Sequence, residues 1–260
     1  MSRTFALGIR LLPRTLAAPV TVGYLLCRIA DTVEDDRAIG AARKALLLAA
    51  FVDAFADAAA AAQFAAKADG TGMTESDRAL IAGAGHVFAA FRALDPQSRR
   101  ILTEWVGELT HGMMRFVDAY PDGIRIVSIE EFRRYCYYVA GTVGHLLTDL
   151  WHAHSPFVGA RTYARLLAHC EAFGEALQTV NILKDIPWDV ERENAVYIPR
   201  DLLAAAGSDH HHLLDPALRS ENRAALDALL ALAEDDLQSA IKYVSAIPPP
   251  AMRIRLFCVL

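Results

Sequence analysis

The sequence predicts an all-α protein. Almost every segment repeats its apolar residues with the 3.6-residue period of an α-helix. No segment alternates apolar and polar residues in a run rich in Val, Ile and Thr, which would be typical of a strand. The 260 residues contain no internal repeat and no linker rich in Pro or Ser. One all-α domain covering residues 1–260 is therefore the simplest architecture.

Start and stop signals divide the chain into helices. Pro13 ends the first helix, and Asp95-Pro96 combines a cap residue with a proline suited to a first helical position. Ser128 and Glu131 have the spacing of a capping box. In chain order the predicted helices cover residues 2–12, 15–36, 41–69, 75–93, 96–120, 129–154, 160–191, 199–206, 220–246 and 251–260. The chain ends in an apolar run without a cap, so we expect the domain to be cut at its C-terminus.

The composition argues against several classes of protein. A net charge of −5 is unlike that of a nucleic-acid-binding domain, which usually carries a basic face. The four cysteines form no CxxC pair, so neither a zinc site nor a disulfide framework is expected. We find no signal peptide and no apolar run approaching the ~20 residues that span a membrane, which favours a cytoplasmic location. The mean hydropathy of +0.22 is high, so we expect the apolar residues to line a cavity.

The sharpest local feature is an acidic run, DTVEDD, at residues 31–36. Asp31 and Asp35 are four residues apart and share one helix face, about 6 Å apart along the helix axis. The run lies at the end of a predicted helix, where the helix dipole disfavours negative charge. An isolated pair of this kind is more often a solvated helix end than a site.

A second pair of aspartates repeats this spacing. Asp185 and Asp189 lie at the end of another long apolar helix, with Pro187 between them inside the helical pattern. Two acidic pairs, each at a helix end where negative charge is unfavourable, favour a functional site over coincidence. Carboxylates in this arrangement suit Mg²⁺, which takes one or two of them and completes its shell with water and substrate phosphates. With Arg28 and Lys184 beside the two pairs, the sequence predicts a mouth that binds a diphosphate.

The helices behind the acidic motifs are apolar over residues 20–29, 139–150 and 173–183. Gly141 and Gly144 remove side-chain volume from the middle stretch. Either close helix packing or room for a long apolar tail would explain them, and the sequence leaves both interpretations open.

Taken together, these motifs resemble the squalene/phytoene synthase family of head-to-head isoprenyl diphosphate synthases, and bacterial squalene synthases most closely. The matching segments follow the order of the family: residues 2–5 (SRTF), 24–28 (YLLCR), 31–36, 135–141 (YCYYVAG) and 178–189 (QTVNILKDIPWD). The resemblance implies the isoprenoid-synthase fold, a single helical bundle around a central apolar cavity with both acidic motifs at its mouth.

The resemblance also implies roles for individual residues. It assigns metal binding to Asp31, Glu34, Asp35, Asn181, Asp185 and Asp189. It assigns substrate binding to Arg3, Phe5, Tyr24, Arg28, Val139, Val143, Leu147, Gln178, Asn181, Lys184 and Tyr197. The catalytic set comprises Tyr135 and the aspartates Asp31, Asp35, Asp185 and Asp189. Without the resemblance, Tyr135 would equally suit a place in the core.

The implied reaction is the Mg²⁺-dependent condensation of two farnesyl diphosphates, through presqualene diphosphate, to squalene. The DTVEDD run and VYIP at residues 196–199 look more squalene-like than phytoene-like. NADPH is a possible cofactor, although the chain has no GxGxxG after a strand. The alternatives are a phytoene or dehydrosqualene synthase, a presqualene or hydroxysqualene synthase of hopanoid biosynthesis, and a non-catalytic scaffold homologue. Peripheral membrane association would aid product release, and the sequence leaves the oligomeric state open.

Overall fold

In this computed structural model, which describes residues 3–259 and the side chains from residue 7 onward, the chain is mainly α-helical. The helices are α1 (Arg3–Leu11), α2 (Arg14–Asp35), α3 (Ala41–Asp53), α4 (Ala58–Lys67), α5 (Glu75–Ala82), α6 (Ala84–Arg92), α7 (Pro96–Ala119), α8 (Ile129–Cys136), α9 (Thr142–His154), α10 (Ala160–Leu167), α11 (Cys170–Trp188), α12 (Arg200–Ala205), α13 (Arg219–Ala246) and α14 (Met252–Val259). Within residues 3–259 the backbone forms no strand, only an isolated bridge between Arg125 and Val196. The all-α prediction is confirmed.

Two π-helical segments lie beside the predicted motifs. Tyr137–Gly141 joins α8 to α9, and Asp189–Glu193 prolongs α11. A π-helical turn adds a residue to the local repeat and so rotates the side chains that follow it. Segments of this kind occur frequently at functional sites.

Three predicted helices are interrupted. The predicted helix 41–69 is wrong as one element, because Asp57 accepts a hydrogen bond from the Ala60 backbone NH (2.8 Å) and starts a new helix. The alanine-rich composition of this segment favours a helix at the surface, and this expectation is wrong. Phe51 and Phe64 are fully buried, and both pack against Phe88.

The other two interruptions also have local causes. Gly83 ends α5 and begins α6, dividing the predicted helix 75–93. Residues 168–169 divide the predicted helix 160–191, because His169 adopts a non-helical backbone (φ −135°, ψ −2°).

The core positions the acidic ends of two helices. α2 packs against α3, α7 and α9, while α11 packs against α13 and the π-helical segment Tyr137–Gly141. A large apolar cluster holds the first group together. A smaller cluster contains Tyr135 and Tyr197 and lies beneath the second acidic motif.

α2 has the predicted length of 22 residues but is more apolar than the sequence analysis expected. By length and composition its 22 residues could cross a membrane, since the mean hydropathy is 1.3 over an 18-residue stretch of the helix. However, 56% of that stretch is buried inside the protein, as in the core helix of a soluble protein. The helix is therefore only weak evidence for a membrane span.

The four cysteines are free thiols, as expected. Cys136 and Cys170 are buried, and Cys27 and Cys258 are half-buried. Burial raises the pKa of the Cys170 thiol to about 12, so at neutral pH this residue packs as a small neutral side chain.

Close packing explains Gly144. A Cβ at this position would lie 2.1 Å from the carbonyl oxygen of Cys170, so α9 and α11 approach each other through the glycine. Gly141 likewise faces the Tyr137 ring, at 3.2 Å from such a Cβ. The interpretation of close helix packing is therefore correct for Gly144, whereas the contact at Gly141 lies within its own π-helical segment.

We expect Gly144→Ala to lower the free energy of unfolding by about 3 kcal/mol, because the methyl group must push two helix backbones apart. Urea unfolding measures this difference. Gly85→Ala on α6 is the matched control, since a Cβ there meets no atom within 4 Å. Equal stabilities for the two variants would contradict the close approach.

Candidate active site

The first acidic motif occupies the C-terminal end of α2. The carboxylate of Asp31 accepts a hydrogen bond from Arg28 (3.3 Å), whose other terminal nitrogen lies 3.7 Å from Asp77 on α5. These contacts hold the Arg28 guanidinium beside the motif. Burial raises the pKa of Asp31 to about 6, although Arg28 opposes this shift.

Asp36, the last residue of the motif, has a structural role. Its carboxylate accepts hydrogen bonds from the backbone NH groups of Ala38 (2.8 Å) and Gly72 (2.6 Å). Asp36 therefore fixes the turn after α2 and ties it to the loop before α5. This leaves Asp31, Glu34 and Asp35 for a ligand.

Glu34 is buried beside a lysine that does not neutralise it. The Lys44 ammonium on α3 donates to the main-chain carbonyl of Glu34, not to its carboxylate. The carboxylate oxygen Oε1 of Glu34 is buried without a hydrogen-bond partner. Burial, followed by the charge of Asp31, raises the pKa of Glu34 to about 8. A buried acceptor without a donor is suited to an incoming cation.

The second acidic motif extends one turn further than predicted. Asp185 is exposed at the end of α11 and Asp189 is buried in the π-helical segment that follows. Burial, then Glu193 and Asp185, raise the pKa of Asp189 to about 7. Glu193 continues the spacing of four, and its carboxylate accepts a hydrogen bond from the Trp188 indole (2.9 Å). The sequence analysis ended the predicted helix at residue 191 and so missed Glu193.

Two arginines hold the end of the second motif. Arg37, directly after the first motif, donates to the carbonyls of Glu191 (2.8 Å) and Arg192 (3.0 Å). Arg125 donates to the carbonyl (2.6 Å) and side-chain oxygen (2.7 Å) of Asn194, which has a left-handed backbone (φ 53°). Neither arginine was predicted, because both act through backbone carbonyls far away in sequence.

The first acidic motif and Glu193 face a common cavity of about 330 Å³, whereas Asp185 and Asp189 line neither this cavity nor the apolar one beside Tyr24. The lining of the common cavity includes Glu34, Asp35, Lys44, Glu193 and Tyr197. The charge of Glu193 also contributes to raising the pKa values of Asp31, Glu34 and Asp35. The motifs are thus close enough to repel each other, and a cation between them would relieve that repulsion.

A second, apolar cavity of about 170 Å³ begins at the first motif. It is lined by Val20, Gly23, Tyr24, Cys27, Arg28, Asp31, Val139, Val143, Leu146 and Leu147. The structure therefore brings together four predicted tail-lining residues with Arg28 and Asp31. Val20, Gly23, Cys27 and Leu146 were missed, and Gly23, not Gly141 or Gly144, is the glycine that lines it.

Tyr135 and Tyr197 form a stacked pair. Their ring centroids are 4.7 Å apart, and Phe116 contacts Tyr135 edge-on at 5.1 Å. The two hydroxyl groups share a hydrogen bond. Burial, followed by Tyr197 and Glu34, raises the pKa of Tyr135 well above its usual range. The Tyr135 phenol therefore stays neutral and lies near the first acidic motif.

Other predicted residues lie apart from these cavities. Gln178, Asn181 and Lys184 lie on α11 before Asp185, and none of them lines either cavity. Asn181 and Lys184 are exposed and Gln178 is half-buried. The side chains of Arg3 and Phe5 lie outside the described part of the chain.

The residues fit Mg²⁺ through oxygen donors. Between residues 3 and 259, no three His, Cys, Asp or Glu side chains are arranged to hold a single ion by themselves. Mg²⁺ does not require such a cage, because it takes one or two carboxylates and completes its shell with water and phosphate oxygens. The unpartnered Glu34 oxygen and the mutual repulsion of the carboxylates fit that mode of binding.

Comparison with known proteins decides the family. The family model described as squalene/phytoene synthase matches residues 1–260. The chain belongs to the squalene/phytoene synthase family. Its fold is that of TcSQS, a squalene synthase solved with a bound ligand, at a TM-score of 0.86 and 26% identity over 99% of this chain and 71% of that one. A dehydrosqualene synthase structure shares the fold at a TM-score of 0.61 and 19% identity, covering 96% of this chain and 75% of that one.

Similar members of the squalene/phytoene synthase family include two squalene synthases. One, from Botryococcus braunii, is 30% identical over 99% of this chain and 53% of its own length. The other, from Schizosaccharomyces pombe, is 28% identical over 95% of this chain and 52% of its own length. The chain spans about half the length of these curated relatives.

We expect Glu34→Gln to raise the Tm of this squalene/phytoene synthase family member by about 5 °C at pH 8.5 in EDTA, and to change it little at pH 5. The folded-state pKa of Glu34 is raised from 4.5 to about 8. Its stabilising contribution is therefore present below pH 4.5 and is lost as the pH rises through 8, where the buried charge forms. Thermal unfolding at both pH values tests this, and an equal shift at both would contradict it.

Proposed function

We propose that this protein catalyses the Mg²⁺-dependent head-to-head condensation of two farnesyl diphosphates, through presqualene diphosphate, to squalene. The observation that carries the proposal is that an acidic and an apolar cavity lie one helical turn apart along the first motif, where Asp35 lines the former and Asp31 the latter. A prenyl diphosphate has a charged head and an apolar tail that match these two environments. The names of the similar proteins support squalene synthesis over other products.

The chemistry divides between the two cavities. Mg²⁺, when bound, neutralises the diphosphate and makes it a leaving group. Asp31, Asp35 and Glu34 would hold the ion beside the two cavities. The resemblance adds Asp185, Asp189 and Asn181 to the proposed set, although these three residues line neither cavity. Arg28 would bind phosphate oxygens, because its guanidinium lines the apolar cavity and is held beside Asp31.

The apolar cavity would exclude water from the allylic cation. Tyr24, Val139, Val143 and Leu147 line it and offer no strong nucleophile. Carbon 1 of one chain would then bond to the double bond of the second chain, releasing one diphosphate and one proton. The neutral Tyr135 oxygen would assist the proton loss, and its ring would face the cation.

The second half-reaction would release the remaining diphosphate. A hydride from NADPH then gives squalene, whereas loss of a proton gives dehydrosqualene and capture of water gives hydroxysqualene. We propose hydride transfer on the resemblance to squalene synthases. Mass spectrometry of products made with farnesyl diphosphate and Mg²⁺, with and without NADPH, separates these outcomes.

Squalene formed only with NADPH would support the proposal. Dehydrosqualene or hydroxysqualene formed regardless of NADPH would replace the second half-reaction and retain the first. If neither farnesyl nor geranylgeranyl diphosphate gives a product, the proposed activity is overturned and a non-catalytic scaffold is favoured.

We propose that the protein is cytoplasmic and lies at the periphery of the membrane that receives its apolar product.

A further inference from the structure

A basic hollow lies between α10 and α13, away from the candidate active site. Arg161, Arg165, His169 and Lys242 line this open depression of about 650 Å³, and no acidic residue does. The two arginines and the lysine are exposed. In a chain with a net charge of −5, this local excess of positive charge runs against the overall balance.

These cations have no evident intramolecular role. Within the described residues, neither arginine nor Lys242 forms an ion pair. Nearby acids are engaged elsewhere, since Glu171 pairs with His145 (2.9 Å) and Asp149 accepts a hydrogen bond from Tyr163 (2.6 Å). Lys242 is also not needed to bind the free backbone carbonyls at the C-terminal end of α13, because Arg255 binds carbonyls there. Arg255 donates to the carbonyls of Val244 and Ser245, each at 3.3 Å.

An exposed apolar groove continues from the basic hollow. Ser245 lines both, and the groove of about 460 Å³ runs between α11, α13 and the end of α14. Its lining includes Leu177 (53% exposed), Ile241 (52% exposed) and Val259 (71% exposed), together with one exposed acidic residue, Glu234. Isolated exposed apolar residues are ordinary, whereas a contiguous apolar surface marks an interaction site.

The acidic active site is too far away to cancel the basic hollow. His169 precedes α11 and Asp185 lies 16 residues later on the same helix, which corresponds to about 24 Å at 1.5 Å per residue. The Debye length at physiological ionic strength is about 8 Å. The molecule therefore presents positive charge at one end of α11 and negative charge at the other.

We propose that the face formed by the basic hollow and the adjoining apolar groove binds the surface of an anionic phospholipid membrane. Arg161, Arg165 and Lys242 contact lipid phosphates, and the apolar side chains enter the boundary between headgroups and acyl chains. A flat array of phosphates beside hydrocarbon matches a basic depression that adjoins an apolar strip. The basic hollow then lies at the end of α11 away from Asp185.

Vesicle sedimentation tests this proposal. We expect the full chain to bind vesicles of phosphatidylcholine with 30% phosphatidylserine and to be released by 0.5 M NaCl. Each basic residue near such a surface contributes about fivefold to partitioning. The triple variant Arg161→Gln, Arg165→Gln, Lys242→Gln should therefore bind about 100-fold more weakly.

A matched control makes the same change in net charge. Lys67→Gln, Arg219→Gln, Arg223→Gln removes three exposed cations elsewhere and should bind vesicles like the parent. Equal loss in both triple variants would overturn the assignment of the surface. Binding to phosphatidylcholine alone at equal strength would overturn the role of the phosphates. Binding to an acidic polypeptide or RNA but not to vesicles would replace the membrane by that partner.

Discussion

Replacing Asp31 and Asp35 together by asparagine is expected to lower kcat/KM for farnesyl diphosphate by at least about 1,000-fold. The two side chains lie one turn apart on α2, where Asp35 lines the acidic cavity and Asp31 lines the apolar one. Asparagine has nearly the same shape as aspartate but lacks the negative charge that holds the ion. Initial rates of presqualene diphosphate formation, followed by mass spectrometry, measure the change.

The same double variant should fold at least as stably as the parent. Burial raises the pKa values of both carboxyl groups, Asp31 to about 6, so their charged forms destabilise the metal-free protein at pH 8. Loss of activity together with an unchanged or higher Tm in EDTA would separate catalysis from folding. Asp53→Asn, on the exposed end of α3, is the control for removal of one negative charge. A double variant that kept a tenth of the parental rate would contradict the assigned metal site.

The acidic motifs could be predicted from sequence because helix geometry turns spacing into position. Residues four apart on one helix share a face wherever the helix lies, which places Asp31 and Asp35 together on α2. The rule does not extend to Asp185 and Asp189, because Asp189 lies in the π-helical segment after α11. The role of Asp36 was not predictable, because its partner, the Gly72 backbone NH, is 36 residues away. Arg37 and Arg125 were hidden for the same reason, since carbonyl partners leave no residue-type signal.

Glu193 shows how an irregular backbone conceals a regular signal. The spacing of four continues from Asp185 through Asp189 to Glu193, yet the predicted helix ended at residue 191 and left Glu193 outside it. The chain instead continues as a π-helix to Glu193 and ends in the left-handed Asn194. Asn194 is stabilised there by Arg125, a long-range contact that local sequence patterns do not report.

The apolar cavity shows that the role of a glycine on an apolar helix could not be predicted from the sequence. Gly23, Gly141 and Gly144 all lie on apolar helices, and composition does not distinguish a glycine beside a cavity from one beside a backbone. Only the packing partner does so: Leu146 lies 3.6 Å from a Cβ at Gly23, whereas the Cys170 carbonyl lies 2.1 Å from one at Gly144. The helix break at Asp57 was predictable in principle from its capping side chain, but the alanine-rich surroundings favour helix on both sides.

Tyr135→Phe is expected to lower kcat about 100-fold while the affinity for farnesyl diphosphate stays within threefold of the parent. The substitution removes only the hydroxyl group, so the contacts of the ring with Tyr197 and Phe116 persist. Because the raised pKa keeps the phenol neutral, the rate should show no step between pH 7 and 9 from this residue. Single-turnover rates and equilibrium binding separate the chemical step from substrate affinity.

Two further variants divide the role of the tyrosine between its hydroxyl group and its ring. Tyr135→Leu removes both and should be slower than Tyr135→Phe, by the amount that the ring contributes to stabilising the cation. Tyr197→Phe removes the hydrogen-bond partner of Tyr135 and should lower kcat by about tenfold, because Tyr135 keeps its oxygen but loses the group that orients it. Tyr163→Phe on α10 removes a hydroxyl bonded to Asp149, outside the active site, and should leave kcat unchanged. If Tyr135→Phe retained the parental rate while Tyr135→Leu lost it, the ring alone would act, and the assignment of proton transfer to the hydroxyl group would be wrong.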